Sequence, residues 1–175
     1  MENLALGGDS CAGAWSSLRW SLEFVALAAL AAVWVMSAYA LLGPSRLPDR
    51  IPTHFNFSGK ADGWGSPQLL WILPGFGSIL YAGMTIVTRF PEAFNYPVRV
   101  TPANRAVLQG LALRMIAWLK VEVMCLFAGI QYVTIESARR GGGTLPPFSM
   151  GTAIVVVFGT IGWHVIAMRR SARSN

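Results

Sequence analysis

The sequence predicts an all-α integral membrane protein: a four-transmembrane-helix bundle with an ordered extracytoplasmic loop between helices 1 and 2. Three observations carry this. The chain is 54% hydrophobic and only 13% charged, where a soluble domain would carry about a quarter charged residues. The charges are clustered, so that none falls in residues 24–45, 63–88 or 141–168. And the stretch between the first two apolar runs is dense in proline and turn residues, which marks a built loop rather than a slack linker.

Each uncharged stretch supplies the ~20 apolar residues that cross a hydrocarbon core. The apolar parts place helices at 24–42, 69–88 and 148–168. A fourth segment, 111–135, is apolar apart from Arg114, Lys120 and Glu122 and the polar Gln131 and Thr134. A central charge costs roughly 2.5–3.5 kcal/mol on insertion scales and each large apolar residue returns about 0.3–0.6. The apolar residues thus nearly balance two charges, and this segment is assigned as the third helix. Thr101-Pro102 reads as its start, a capping hydroxyl before a proline at the first helical position. A helix from there to Ile135 would run about 51 Å. It exceeds the core by roughly 20 Å, so its first turns, with Asn104, Arg105 and Gln109, are expected to protrude.

This gives a cytoplasmic N-terminal segment (1–23), a four-helix membrane domain (24–168) and a basic cytoplasmic tail (169–175). Arg19, Arg89, Arg99, Arg105, Arg114, Arg169, Arg170 and Arg173 on one side outnumber Arg46, Arg50, Lys60, Arg139 and Arg140 on the other. Positive-inside logic puts both termini in the cytoplasm and the first loop outside, in a multi-pass cell-membrane protein. The formal net charge of +6 then serves topology and contact with anionic membrane lipids, not nucleic acid. Cys11 and Cys125, on different segments, predict no disulfide framework.

The first loop, 46–68, is the most patterned stretch. Pro48 and Pro52 fix their own φ and extend the residues before them. Residues 53–57 have strand preference, Ser58-Gly59 and Asp62-Gly63 read as turns, and Trp64 suits the lipid–water interface. Gly59 and Gly63 are expected to serve backbone geometry, Gly63 at positive φ.

On these residues the chain resembles the bacterial membrane proteins that carry the domain of unknown function found at the start of SdpI-type immunity proteins. The resemblance rests on Leu47, Pro48, Ile51, Pro52, His54, Phe55, Gly59 and Asp62 through Ser66. It continues at Phe94 through Val98, Thr101, Asn104, Trp118 through Lys120 and Phe127 through Gln131, covering roughly residues 25–135. It implies a membrane protein that protects a cell from a secreted toxic peptide and relays its presence to a cytoplasmic regulator. The SdpI-type members carry further helices beyond the region of resemblance.

The candidate ligand-binding or loop-structuring residues are therefore Pro48, Pro52, His54, Phe55, Gly59, Asp62, Gly63 and Trp64. His54 and Asp62 form the loop's ionisable pair, but neither has a third partner at metal-site spacing, so the bland reading is a hydrogen bond fixing the loop. Lys120 and Glu122 are the intramembrane polar candidates. Two residues apart, they lie about 200° apart around a helix. Lys120 is expected to snorkel to the headgroups and Glu122 to face the bundle interior. Pro74, between Gly75 and Gly77, is expected to kink helix 2 and open a wedge under the loop. Ala28/Ala32, Ser78/Ala82 and Gly159/Gly162 are small residues suited to helix contacts.

The expected function is a non-catalytic sensor or immunity-like factor that binds a peptide or small amphiphile through the loop. The alternative is a small transporter or transporter subunit using Glu122 and Lys120. An intramembrane enzyme is disfavoured, because no nucleophile–base pair stands out. No cofactor or metal is expected, and the sequence sets no oligomeric state.

Overall fold

A computed structural model describes residues 6–44, 47–56, 58–142 and 148–172, with side chains from residue 17 onward except at 148–150 and 153. Arg46, Phe57 and Arg173 lie outside the described residues, and Cys11 outside the described side chains. The chain is mostly helical: α1 spans Leu6–Leu42, α2 Ile72–Val87, α3 Arg105–Arg139 and α4 Phe148–Ser171. A two-stranded antiparallel hairpin, β1 Ile51–Phe55 with β2 Ala61–Gly65, fills the connection between α1 and α2.

Two segments, Ser17–Leu42 and Pro67–Val87, are long and apolar enough to cross a membrane. Only 22% and 17% of their most apolar windows are buried, so they turn their hydrophobic surface outward, unlike the core helices of a water-soluble domain. The exposed side chains include Trp20, Phe24, Val35, Ile72 and Ile79.

The helices alternate in direction. Glu23 meets Lys120 and Ser37 meets Gln131, so α1 and α3 run parallel. Trp34 meets Ser78 and Glu23 meets Tyr81, so α2 runs against them. Glu122 meets Thr160, and Met168 packs with Leu108 and Ala112, so α4 runs against α3. α3 packs along α1 most extensively, and also against α2, α4 and β1. α1 offers it the face of Leu22, Ala26, Val33, Ser37 and Ala40. The small residues at this contact are thus Ala26, Ser37 and Ala40. Ala28, Ala32 and Ala82 face outward, and a Cβ on Gly159 or Gly162 would meet nothing.

Several elements differ from expectation. α1 begins well before residue 24, so the leading segment is largely helix. Pro102 sits in a turn ahead of α3, whose cap is Asn104. There the Thr101 N–H donates to Asn104 Oδ1 (2.8 Å), the Asn104 N–H to Thr101 Oγ1 (3.3 Å) and Asn104 Nδ2 to Arg99 O (3.1 Å). Pro74 is in the first turn of α2, after a 3₁₀ turn over Pro67–Trp71. A proline so placed costs no intrahelical bond. The expected wedge is filled: Pro74 and Gly77 are buried, and a Cβ on Gly77 would lie 3.2 Å from both Leu30 and Phe127.

The hairpin turn is held by Asn56, whose Oδ1 accepts from the N–H groups of Ser58 and Lys60, both at 3.0 Å. Gly59 has φ 75°, the left-handed conformation that glycine adopts freely. Asp62-Gly63 lies in β2 and is no turn, and Gly63 is not at positive φ. Its role is close approach: it pairs with His54, and a Cβ there would stand 2.8 Å from the His54 Cβ. The hairpin is seated by Ile51, which is buried with Ala40, Leu70, Ile135 and Ala138 from α1, the 3₁₀ turn and α3. α3 ends beneath it in a Schellman arrangement. The Gly142 N–H donates to Ser137 O (2.9 Å) and the Gly141 N–H to Ala138 O (3.3 Å), with both glycines at positive φ.

Close approach, not backbone handedness, thus fixes Gly63, and a double substitution separates the two. Gly63→Ala should destabilise the hairpin by about 1–3 kcal/mol through overpacking, read as faster amide hydrogen exchange over 51–65. His54→Gly, which removes the opposing Cβ, should restore protection. No restoration would show that the His54 Cβ is not what excludes a side chain at position 63.

Candidate functional site

Three polar groupings carry the chemistry. The first is on the hairpin. His54 Nδ1 and Asp62 Oδ1 are 2.5 Å apart, with side chains 72% and 45% exposed. Asp62 reaches His54 because the strand register slips there, leaving Asp62 without a Cα partner. Of the other loop candidates, Pro52 is buried, Pro48 exposed and Phe55 half-buried. Trp64 is partly exposed. Its carbonyl accepts from Arg50 (3.4 Å), and a Cβ on Gly142 would touch its ring at 3.3 Å. Trp64 therefore rests on the end of α3, and the hairpin presents His54, Asp62 and the free part of Trp64 outward.

The second grouping lies inside the bundle. Lys120 is 1% exposed and does not snorkel. Its ammonium donates to Glu23 Oε1 of α1 and to Thr85 Oγ1 of α2 (3.1 Å), and lies 4.7 Å from the centre of the Tyr81 ring. The Tyr81 hydroxyl donates to Glu23 Oε2 at 2.6 Å. The ammonium is thus met by a carboxylate, a hydroxyl and an aromatic face, which is how a buried charge is tolerated. One end along, Gln131 Nε2 donates to Ser37 Oγ (2.6 Å) and to Leu70 O (3.2 Å).

The third is on the opposite side of α3. Thr160 of α4 donates to Glu122 Oε1 (2.5 Å), while Glu122 Oε2 is buried with no partner. His164 Nδ1 is 2.9 Å from Thr160 O. A carbonyl only accepts, so Nδ1 carries a proton, and in the neutral ring Nε2 is the acceptor. Both side chains line a cavity of about 830 Å³ between α3 and α4, walled also by Arg114, Trp118, Trp163 and Leu18 of α1.

The structure does not bring the two loop ionisables near the two on α3, and it sends Lys120 and Glu122 to different helices. Sequence reasoning missed Glu23, Tyr81, Thr85 and Thr160. Glu23 was within reach of a charge argument. A buried Lys120 needs a carboxylate, Glu122 faces away from it, and Glu23 stands at the edge of the first apolar run. Among the described residues, no group of three or more His, Cys, Asp or Glu could hold a metal ion.

Removing one member of a buried ion pair leaves the other charge uncompensated, at about 3–5 kcal/mol. Lys120→Met and Glu23→Leu should each lower the thermal midpoint in detergent markedly. The double variant should be more stable than the sum of the two losses predicts. Simple additivity would show that the pair does not couple α1 to α3.

Residues 24–77, from mid-α1 through the hairpin into α2, match the family described as "Domain of unknown function (DUF1648)". The chain is also similar to a protein of Archaeoglobus fulgidus named "Uncharacterized protein". The two are 29% identical over 129 residues, which cover 66% of this chain and 69% of the archaeal one. No solved structure matches it.

Proposed function

We propose that the chain is a four-span membrane protein whose outer hairpin is the recognition surface of a non-catalytic sensor or immunity-like factor, with a peptide or small amphiphile as ligand. The observation that carries this is the hairpin's seat. Ile51 and Trp64 press on the ends of α1, the 3₁₀ turn and α3 together, so anything that binds His54, Asp62 or Trp64 acts on three elements of the bundle at once. A slack loop would transmit nothing.

The four-span reading is supported by length and by polar satisfaction. α3 and α4, of 35 and 24 residues, extend about 52 and 36 Å. The buried Lys120 is paired, which lowers the cost of carrying it through the core. The alternating helix directions put the hairpin at one end of the bundle. At the other are the loop after α2, where Phe94, Tyr96 and Val98 pack on Leu108, Ala112 and Met168, and the basic end of α4. Positive-inside logic then assigns the hairpin to the outside and both termini to the cytoplasm. The resemblance to SdpI-type proteins supports the immunity-like reading and a cytoplasmic regulator as partner.

With Cys11 and Cys125 replaced by serine, an impermeant thiol reagent on intact cells should label Ser58→Cys and not Ser171→Cys; the reverse result inverts the protein. For recognition, the chain is expressed in a susceptible bacterium and challenged with a panel of secreted membrane-active peptides. Wild type should raise tolerance to at least one. The double variant His54→Ala/Asp62→Ala should lose that protection at unchanged abundance in the membrane. Equal protection by the variant would end the hairpin's role as the recognition surface.

A further inference from the structure

The cavity between α3 and α4 is not used by the hairpin reading, and its chemistry is specific. Its α3 wall follows one stripe at helical spacing, Arg114, Trp118 and Glu122, and its α4 wall includes Gly159, Thr160, Trp163 and His164. The acceptors gather at one end. Glu122 has one oxygen engaged by Thr160 and the other buried without a partner, and His164 offers Nε2. Buried polar atoms in folded proteins are almost always paired, so an orphaned carboxylate oxygen beside an open groove marks a place for a donor. The Glu122 side chain lines the groove, and its carboxylate has lone pairs beyond the one that Thr160 engages. Two tryptophans flank the approach, and tryptophan is the aromatic that best attracts a cation.

We propose that this groove is a binding site for a primary amine on an apolar chain, its ammonium held by Glu122 and His164 and its chain laid between Trp118 and Trp163. An ammonium has three donors and no acceptor, which matches an acceptor pair. Arg114 stands eight residues before Glu122, about 12 Å back along α3. The acceptors lie at the Glu122 end, so the amine belongs there. Trp163 and Trp118 are substantially exposed, which leaves the groove open sideways for the chain to enter. A volume of about 830 Å³ lies within the range of small-molecule sites. The inference does not rest on the hairpin reading, and a different experiment sinks it.

The test uses the full chain in lipid nanodiscs with dodecylamine carrying a photoreactive diazirine, and peptide mapping of the adducts. Labelling should fall on α3 and α4 residues of the groove. It should be displaced by dodecylamine and not by dodecanol or dodecyl sulfate. Glu122→Gln keeps an acceptor for Thr160 and should keep the fold, yet weaken the amine about tenfold or more, as loss of a charge-assisted hydrogen bond predicts. Gly159→Leu fills the groove from a position where an added Cβ meets nothing, so it should abolish labelling with the thermal midpoint unchanged. Displacement by the alcohol or the sulfate would show general lipid occupancy and overturn the proposal. So would undiminished labelling in stable Glu122→Gln or Gly159→Leu protein, or labelling spread over the bundle surface.

Discussion

The ammonium of Lys120 constrains the rest of the bundle. It sits on the middle helix, too far inside to reach water, and each helix that surrounds it contributes a group that it needs. α1 brings Glu23, and α2 brings Thr85 and the face of Tyr81. If the bundle lies in lipid, as proposed, apolar side chains gain little by leaving lipid for each other, so polar contacts and close packing decide how its helices register. Once Glu23 is set against Lys120, the parallel run of α1 along α3 brings Ser37 to Gln131 and Ala40 to Ala138 further along. The seat of the hairpin is therefore a consequence of a salt bridge several turns away. A shift of either helix by one turn would break the pair and also remove the pocket that holds Ile51.

The two apolar segments that overlap Ser17–Leu42 and Pro67–Val87 were legible because a hydrocarbon core demands about twenty residues without a charge, and a water-facing surface does not tolerate them. The starts and ends were less so, and for physical reasons. α1 continues through Ser17 and Arg19 because a helix need not stop where the membrane does. Pro74 looked like a kink because proline in mid-helix is one, but the sequence does not say that a 3₁₀ turn precedes it and makes it a first-turn residue. Gly63 was read as a turn glycine from its neighbour Asp62. What requires it is the side chain of His54 on the facing strand, and cross-strand contacts do not show in local composition. His54 and Asp62 were recognised as a pair from sequence, and the slipped register shows how they meet.

The two ionisable residues of α3, Lys120 and Glu122, show where sequence logic held and where it stopped. Their separation around the helix follows from spacing alone, and each does meet a different neighbour. Their environments do not follow from spacing. Lys120, expected at the headgroups, is buried and paired with Glu23 and Thr85, whereas Glu122 is only half satisfied. The difference comes from what faces them. α1 and α2 close over one side of α3, while α4 packs on the other and leaves an open groove beside it.

That asymmetry separates scaffold from site. A fully paired charge fixes structure and has nothing left to offer a ligand, whereas an acceptor with a vacant lone pair is useful to a ligand and costly without one. The hairpin stands at one end of α3 and the groove along its far flank, so both candidate sites are built on the same helix, which also carries the scaffold's salt bridge. A helix held that firmly on one face makes a fixed wall for the groove on the other. The groove's other wall, α4, is joined to α3 through Glu122 and Thr160 and through the apolar contacts of Met168.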